Sequence, residues 1–389
     1  MKINASRRSF NQALLSIGAT APMLSHSAWD LNWLGLGKQP RSSEYWLSAQ
    51  GQSQGQYGLG WVDTHGEKLS KVSTPFRGHG FCQNPTQLDH IIMFSRRPGT
   101  EGIRLNLSSG KIDTTFRSAP DRHMHGHGCF SADGTKLFCA ESEISTGKGK
   151  ISIRDTRTLT LIGEFDSYGI GPHEIALMPD GNTLVVANGG LLTHPDSGRE
   201  ILNLNSMRAS LAYIDIHSGE LLSEHFIPEK KASIRHLDVA NDGTVAIALQ
   251  VQRKAMGHNK LTPLAAIHKK GQKIILLQAP EALLSKLNDY MGSVRINNTS
   301  RIAAFASPKG NLAMFWHLDD LSLQGYHSFH DVCGLTVSQD NKYFVLSNST
   351  GKIRQINAAT LKLDKDKSFN FPHTSWDNHM ITVLSSNTK

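Results

Sequence analysis

One β-unit recurs along this chain. It reads as an apolar stretch, an Asp-Gly or Asn turn, and a second apolar stretch. Three copies begin with histidine: HGCFSADGTKLFCAE from His127, HEIALMPDGNTLVVAN from His173 and HLDVANDGTVAIALQ from His236. Two begin otherwise: MGSVRINNTSRIAAFAS from Met291 and CGLTVSQDNKYFVLSN from Cys333. His79 and His379 head shorter apolar stretches of the same kind. Short apolar runs bounded by Gly, Asp and Asn are strand signals. After each pair a third strand ends in Asp or Asn and a fourth follows, as at residues 211–216 and 221–227 around Ser218-Gly219-Glu220.

Four strands every ~40–60 residues is the pattern of propeller blades. The heads His79, His127, His173, His236, Met291 and Cys333 mark six blades. His379 heads an inner strand with no blade behind it, while residues 45–49, 57–63 and 67–74 are strands lacking an inner partner. Pairing the C-terminal strand with these gives a seventh blade and removes the exposed sheet edges of an open array. The expectation is an all-β, seven-bladed β-propeller over 44–385, with a linker at 29–43 and a tail at 386–389. Inserts at 188–210 and 254–263 interrupt two blades, and 280–290 reads as a short helix. The first insert, with Asn188-Gly189-Gly190 leading into it, is either a lid over the channel mouth or a plain loop.

Inner strands of a propeller line the central channel, so their heads face the axis near one rim. A ring of imidazoles there suggests a transition metal site, since imidazole suits copper, iron, zinc and nickel. The expected ligands are His79, His125, His127, His173, His236, His330 and His379. His330 lies close enough to Cys333 to replace it. His123, Met291, Cys333 and Glu141 are further candidate ligands, and Met and Cys would bias the site towards copper. In an extended strand His123, His125 and His127 share one face and cannot all reach one ion, whereas Gly126 and Gly128 allow a bend. Glu174, Asp238, Asp331 and Asp377 adjoin head histidines and could orient their rings. Arg122 and Arg235 could hold an anion or pair with those acids. The competing reading is that each histidine only caps its strand.

The first 28 residues read as a signal rather than fold. Ser6-Arg7-Arg8-Ser9-Phe10, an apolar run and small residues at 25–28 make a twin-arginine export signal. The periplasm is the expected location. No later run is long enough to span a membrane. Without the signal the net charge falls from +8 to +5, spread along the chain, which argues against nucleic acid. Four cysteines, Cys82, Cys129, Cys139 and Cys333, leave disulfide pairing open. No nucleophile elbow, P-loop, dinucleotide fingerprint or Cys-x-x-Cys-His haem site is present.

GHG at 78–80, HGHG at 125–128, GIGPHE at 169–174, NGG and THPDSGR within 188–199, SLAYID at 210–215, SIRHLD at 233–238 and WDNH at 376–379 together carry a family likeness. The chain resembles the uncharacterised bacterial periplasmic seven-bladed propeller proteins, a domain of unknown function, encoded beside imelysin-type iron-uptake proteins and di-haem thiol-oxidoreductase-like proteins. The resemblance implies a role near iron acquisition and carries over no catalytic residue. The arrangement is distantly similar to nitrous oxide reductase, but Met291 and Cys333 stand where that ring has imidazole, and the second domain is lacking.

The leading expectation is a metal-binding propeller in uptake or handling, holding iron first and copper second, as a monomer. A metal-dependent oxidoreductase on the same histidines, and a scaffold for imelysin-like or haem partners, are the alternatives.

Overall fold

The structure is a computed structural model that describes residues 43–51, 55–198 and 200–386. The twin-arginine signal, nearly all of the 29–43 linker, Arg199 and the end of the tail lie outside the described residues. Seven four-stranded antiparallel sheets stand around a ring. Numbered from the N-terminal strands, the blades have inner strands Ile381–Ser385, Gly78–Gln83, Arg122–Phe130, Pro172–Leu177, Ala232–Val239, Ser293–Asn297 and Val332–Val337. Blade 1 is the closure: Ile381–Ser385 pairs with Ser43–Gly51, setting Val383 opposite Tyr45 and Ile381 opposite Leu47.

The recurring turn has a local cause. Asp133, Asp180, Asp242 and Asp340 each accept the backbone N–H of the residue two further on, at 2.9–3.0 Å. The residue between adopts a left-handed conformation: Gly134, Gly181, Gly243 and Asn341 have φ of 68°, 70°, 82° and 57°. Glycine and asparagine are the residues that reach this region at least cost. The strands on either side bury their apolar faces between blades. Phe138 and Ile151 of blade 3 pack in one cluster with Leu184, Val186 and Ile214 of blade 4. Each such side chain contributes about 1.5–3 kcal/mol by leaving water.

The inner strands carry a second recurring device. Their pairing with the next strand skips residues close to the head. The skip falls at His79 and Gly80 in blade 2, at 125–127 in blade 3, at His173 in blade 4, at Arg235 in blade 5 and at Cys333 in blade 7. Blade 6 keeps an unbroken register from Ser293 to Asn297. A bulge frees a residue from the ladder and re-aims its side chain. The residues freed include the head itself in blades 2, 3, 4 and 7, whereas in blade 5 it is Arg235 beside the head.

Residues Glu281–Lys286 form the expected short helix. The four thiols are free. Cys139 pairs opposite Gly128 and Cys129 opposite Phe138, so the two cysteines face opposite sides of blade 3. Among the described residues no helix is long and apolar enough to cross a membrane.

Candidate metal centre

Five blades bring their histidines together. The ring of His79 lies 4.8 Å from that of His127 and 4.7 Å from that of His379. His127 lies 5.3 Å from His173 and 5.2 Å from His236. His173 and His236 are 4.8 Å apart, and His236 and His379 4.4 Å. All five are buried. Two triads, His79–His127–His379 and His127–His173–His236, each bring three ligand atoms within 4.8 Å of one another and could hold a metal ion. His127 belongs to both.

The backbone of blades 2 and 3 comes close enough here to require glycine. A Cβ on Gly80 would strike the Gly126 carbonyl and the His127 ring. One on Gly126, whose φ is 97°, would strike the His79 ring. The bend at Gly126 also separates His127 from its sequence neighbours. His123 and His125 form their own pair, 4.9 Å between rings. His125 Nε2 bonds the Ser142 hydroxyl at 2.8 Å. The straight-strand alternation, which would place all three on one face, does not occur.

The heads occupy two adjacent positions of the repeat rather than one. Counted back from the turn aspartate, His127 stands six residues before Asp133 and His236 six before Asp242. His173 stands seven before Asp180, and Cys333 seven before Asp340. Glu174 therefore occupies in blade 4 the position that His127 and His236 occupy on either side. It uses that position to bridge them. One carboxylate oxygen lies 3.4 Å from His127 Nδ1, and the other accepts from His236 Nδ1 at 2.9 Å and from the Leu237 N–H at 3.0 Å. A carboxylate on Nδ1 fixes the tautomer and leaves Nε2 with its lone pair, the form a metal needs. Burial pushes the Glu174 carboxyl pKa up, but the His127 and His236 rings outweigh it and hold it well below the usual range.

Burial, and then the neighbouring rings and guanidinia, hold His79, His173 and His379 well below the ordinary imidazole pKa. His236 is pushed down to about 4 by burial, against the pull of Glu174. Neutral rings are ligand-competent rings. His79 Nδ1, His127 Nε2, His173 Nδ1 and His379 Nε2 are buried with no hydrogen-bond partner in the protein. Each such atom costs roughly 1–3 kcal/mol if nothing meets it. Four in one cluster is a large charge on a fold whose whole stability is of order 5–15 kcal/mol. The donor set and these bare nitrogens fit a transition metal ion. The Ser293 hydroxyl of blade 6 meets His379 Nδ1 at 3.1 Å and aims that ring. His379 itself sits at φ 65°, outside the usual range for a side chain.

The other sequence-predicted residues go elsewhere. His330 is exposed before the inner strand of blade 7 and joins no ring pair of the cluster; its carbonyl accepts from Asn348. Met291 is fully buried in the core. The Cys333 thiol donates to the Trp376 carbonyl at 3.4 Å, and burial raises its pKa, so it is a packed thiol rather than a thiolate. Glu141 accepts from Ser152 at 2.8 Å and lies 3.7 Å from Arg154. Asp238 accepts the Ile296 N–H, tying blade 5 to blade 6. Asp377 binds Arg77 through both oxygens, at 2.5 and 2.8 Å, and Arg96 at 3.4 Å. Asp331 stands in a turn at φ 44° with its N–H on Asn311. Of the four acids beside heads, only Glu174 touches imidazole, and it serves the flanking blades rather than its neighbour His173. Arg122 pairs with Glu164 and Glu143.

A cavity of about 330 Å³ opens onto the cluster through His79 and His173. Leu191, Thr193 and Ile201 of the 188–210 insert form part of its wall. That insert is held by its own bonds, Asn203 accepting the Leu192 N–H at 2.8 Å and donating to the Gly190 carbonyl at 2.9 Å. The cavity's polar groups, among them Arg96, Gln252, Tyr290 and Lys309, carried no signal in the sequence because they come from loops far apart along the chain.

Fold and site together define a seven-bladed propeller with a buried polyhistidine cluster at its axis. The chain belongs to the family described as protein of unknown function (DUF1513), which matches over residues 72–383. No curated protein matches it. Among solved structures it is similar to Kuenenia stuttgartiensis hydrazine synthase, with a TM-score of 0.58 at 15% identity, over 82% of this chain and 92% of that one. That likeness is one of fold.

Proposed function

We propose that this protein binds a transition metal ion at the axial histidine cluster and serves in metal uptake or handling in the periplasm. The observation that carries the reading is the four buried ring nitrogens, from four successive blades, that converge without protein partners. A metal ion accepts such lone pairs, and the two triads that share His127 could each hold one. His79, His127, His173, His236 and His379 would hold the ion; Glu174 orients two of them and Ser293 a third. The ion would supply Lewis acidity or redox capacity when bound. Iron is the first candidate and copper the second. Imidazole accepts either, the thiol of Cys333 lies outside the cluster, and the likeness to proteins encoded beside imelysin-type iron-uptake proteins favours iron. Imelysin-like or haem proteins of the same compartment are the proposed partners.

Elemental analysis tests this on protein made with its own signal and no histidine tag, beside a His127→Ala/His173→Ala variant. About one equivalent or more of iron or copper, lost in a variant that stays folded, supports the reading. No metal in either protein, even after reconstitution with Fe(II), Cu(I) and Cu(II), refutes it and leaves a scaffold role. The cavity that reaches His79 and His173 also gives a small molecule a path to the ion, which favours a metal-dependent oxidoreductase as the second reading. Redox cycling of the loaded protein without any substrate-dependent spectral change would rule that out.

A further inference from the structure

A second cavity, of about 440 Å³, lies in the seam between blades 4 and 5. It shares no lining residue with the cavity over the histidine cluster. Met178 and Asp180 in its wall follow the inner strand that carries His173 at its head, so it lies towards the opposite rim. Three rings meet in it, Tyr213 and His225 of blade 4 and His268 of blade 5. The His268 ring lies 4.1 Å from that of His225 and 5.4 Å from that of Tyr213. One carbonyl fixes the direction of the bonds. His268 Nε2 lies 3.0 Å from the Gln272 carbonyl, which can only accept, so this nitrogen carries the hydrogen. Burial, and then the His225 ring, push the His268 pKa down to about 4, so at neutral pH the ring holds one hydrogen. Its Nδ1 is therefore the acceptor, and the Tyr213 hydroxyl donates to it at 2.6 Å. The Tyr213 oxygen accepts nothing in return among the described residues. His225 is half-buried and makes ring contacts but no side-chain hydrogen bond among the described residues. A staple between two blades needs only the Tyr213–His268 bond; the open space, the bare oxygen and the idle imidazole go beyond it.

We propose that this cavity is a second ligand site, and that it takes a neutral hydroxylated aromatic compound of the phenol or naphthol class. Such a hydroxyl offers one donor and one acceptor at a single atom. Its hydrogen meets the bare Tyr213 oxygen, and its oxygen meets the His225 N–H. A phenolic hydroxyl is a stronger donor than an aliphatic one. The ring packs on Met178, whose thioether favours aromatic partners, and covers Leu222, which is 56% exposed. A volume of about 440 Å³ admits two fused rings. The charged residues of the wall do not call for an ion. The Asp180 carboxylate is bound by the N–H groups of Asn182 and Thr183 and by the Thr183 hydroxyl, at 2.8–2.9 Å, and Lys270 lies within electrostatic reach of it. This inference goes beyond the metal-binding reading and does not depend on it.

Equilibrium dialysis of the metal-free full chain against naphthol tests this. Methoxynaphthalene, which lacks the hydroxyl hydrogen, and decahydronaphthol, which lacks the aromatic ring, are the controls. Naphthol is expected to bind saturably, and each control roughly tenfold or more weakly, the loss that one unmade hydrogen bond or ring contact causes. Leu222→Glu places a carboxylate on the apolar wall and should weaken naphthol roughly tenfold. His225→Phe keeps a ring against His268, removes the N–H, and should weaken naphthol by a similar factor. Leu222 is exposed, so its variant decides the matter if the His225 variant does not fold. Absence of saturable naphthol binding, or wild-type affinity in a folded variant of either kind, overturns the proposal. Methoxynaphthalene binding as tightly as naphthol overturns the contact with Tyr213, and decahydronaphthol binding as tightly overturns the aromatic assignment. Because the protein is metal-free throughout, a protein that binds naphthol but never metal refutes the functional reading and leaves this inference standing.

Discussion

Blades 1 to 5 and blades 6 and 7 each contribute the inner strand of a four-stranded sheet, yet their head residues are used differently. On the first arc, His379, His79, His127, His173 and His236 meet ring to ring, and four of them keep a nitrogen with no protein partner. On the second arc, Met291 packs in the core, the Cys333 thiol donates to a carbonyl, and Ser293 donates to its neighbours and steadies His379. The heads of the first arc leave ring nitrogens unmet, and the polar head groups of the second, Ser293 and Cys333, are satisfied. Polar groups left bare within an otherwise well-packed ring mark the place where selection accepted a cost in stability.

This contrast predicts opposite phenotypes. The largest effect expected is on metal. His127→Ala removes the ring common to both triads and should abolish stoichiometric binding, measured by elemental analysis, with the metal-free thermal midpoint unchanged or raised. On the other arc Met291→Ala should lose about 2–5 kcal/mol in denaturant unfolding by opening a cavity, and keep its metal. If both variants lost both properties, the two arcs would not be distinct. Glu174→Gln should fall between them: the ring stays aimed by a weaker acceptor, and metal affinity drops about 10–100-fold in a competition titration.

The smallest effect concerns pH. His268 is buried against His225 and accepts the Tyr213 hydroxyl at 2.6 Å, and burial pushes its pKa down to about 4. Its unfolded value is near 6.5. The unfolded chain therefore binds the proton first, so stability is full above pH 6.5 and is lost as pH falls from there to about 4. His79, His173, His236 and His379 act in the same direction. Saturating metal should oppose the acid loss due to the axial histidines and leave that due to His268 unchanged. Thermal midpoints at pH 7, 5.5 and 4.5, with and without metal, measure this.

The fold was legible because the turn chemistry repeats. Asp133-Gly134, Asp180-Gly181 and Asp242-Gly243 give the period, and the spare inner strand after His379 gives the closure. Five of the seven candidate histidines were legible for the same reason. His125 and His330 were not separable from them, because bulges are invisible to a period-two reading. The skip over 125–127 swings His127 towards the axis and leaves His125 with Ser142. The same device shifts the head by one residue between blades. That is why Glu174, next to His173 in sequence, is next to His127 and His236 in space.

Diffraction from crystals of the metal-loaded protein, with anomalous data collected at the absorption edge of the bound element, tests the central claim most directly. The account predicts one or two anomalous peaks at the axis, at about 2.0–2.2 Å from ring nitrogens of the five-histidine cluster, with His127 a ligand. Peaks only at His123 and His125, or only on the surface, would contradict it.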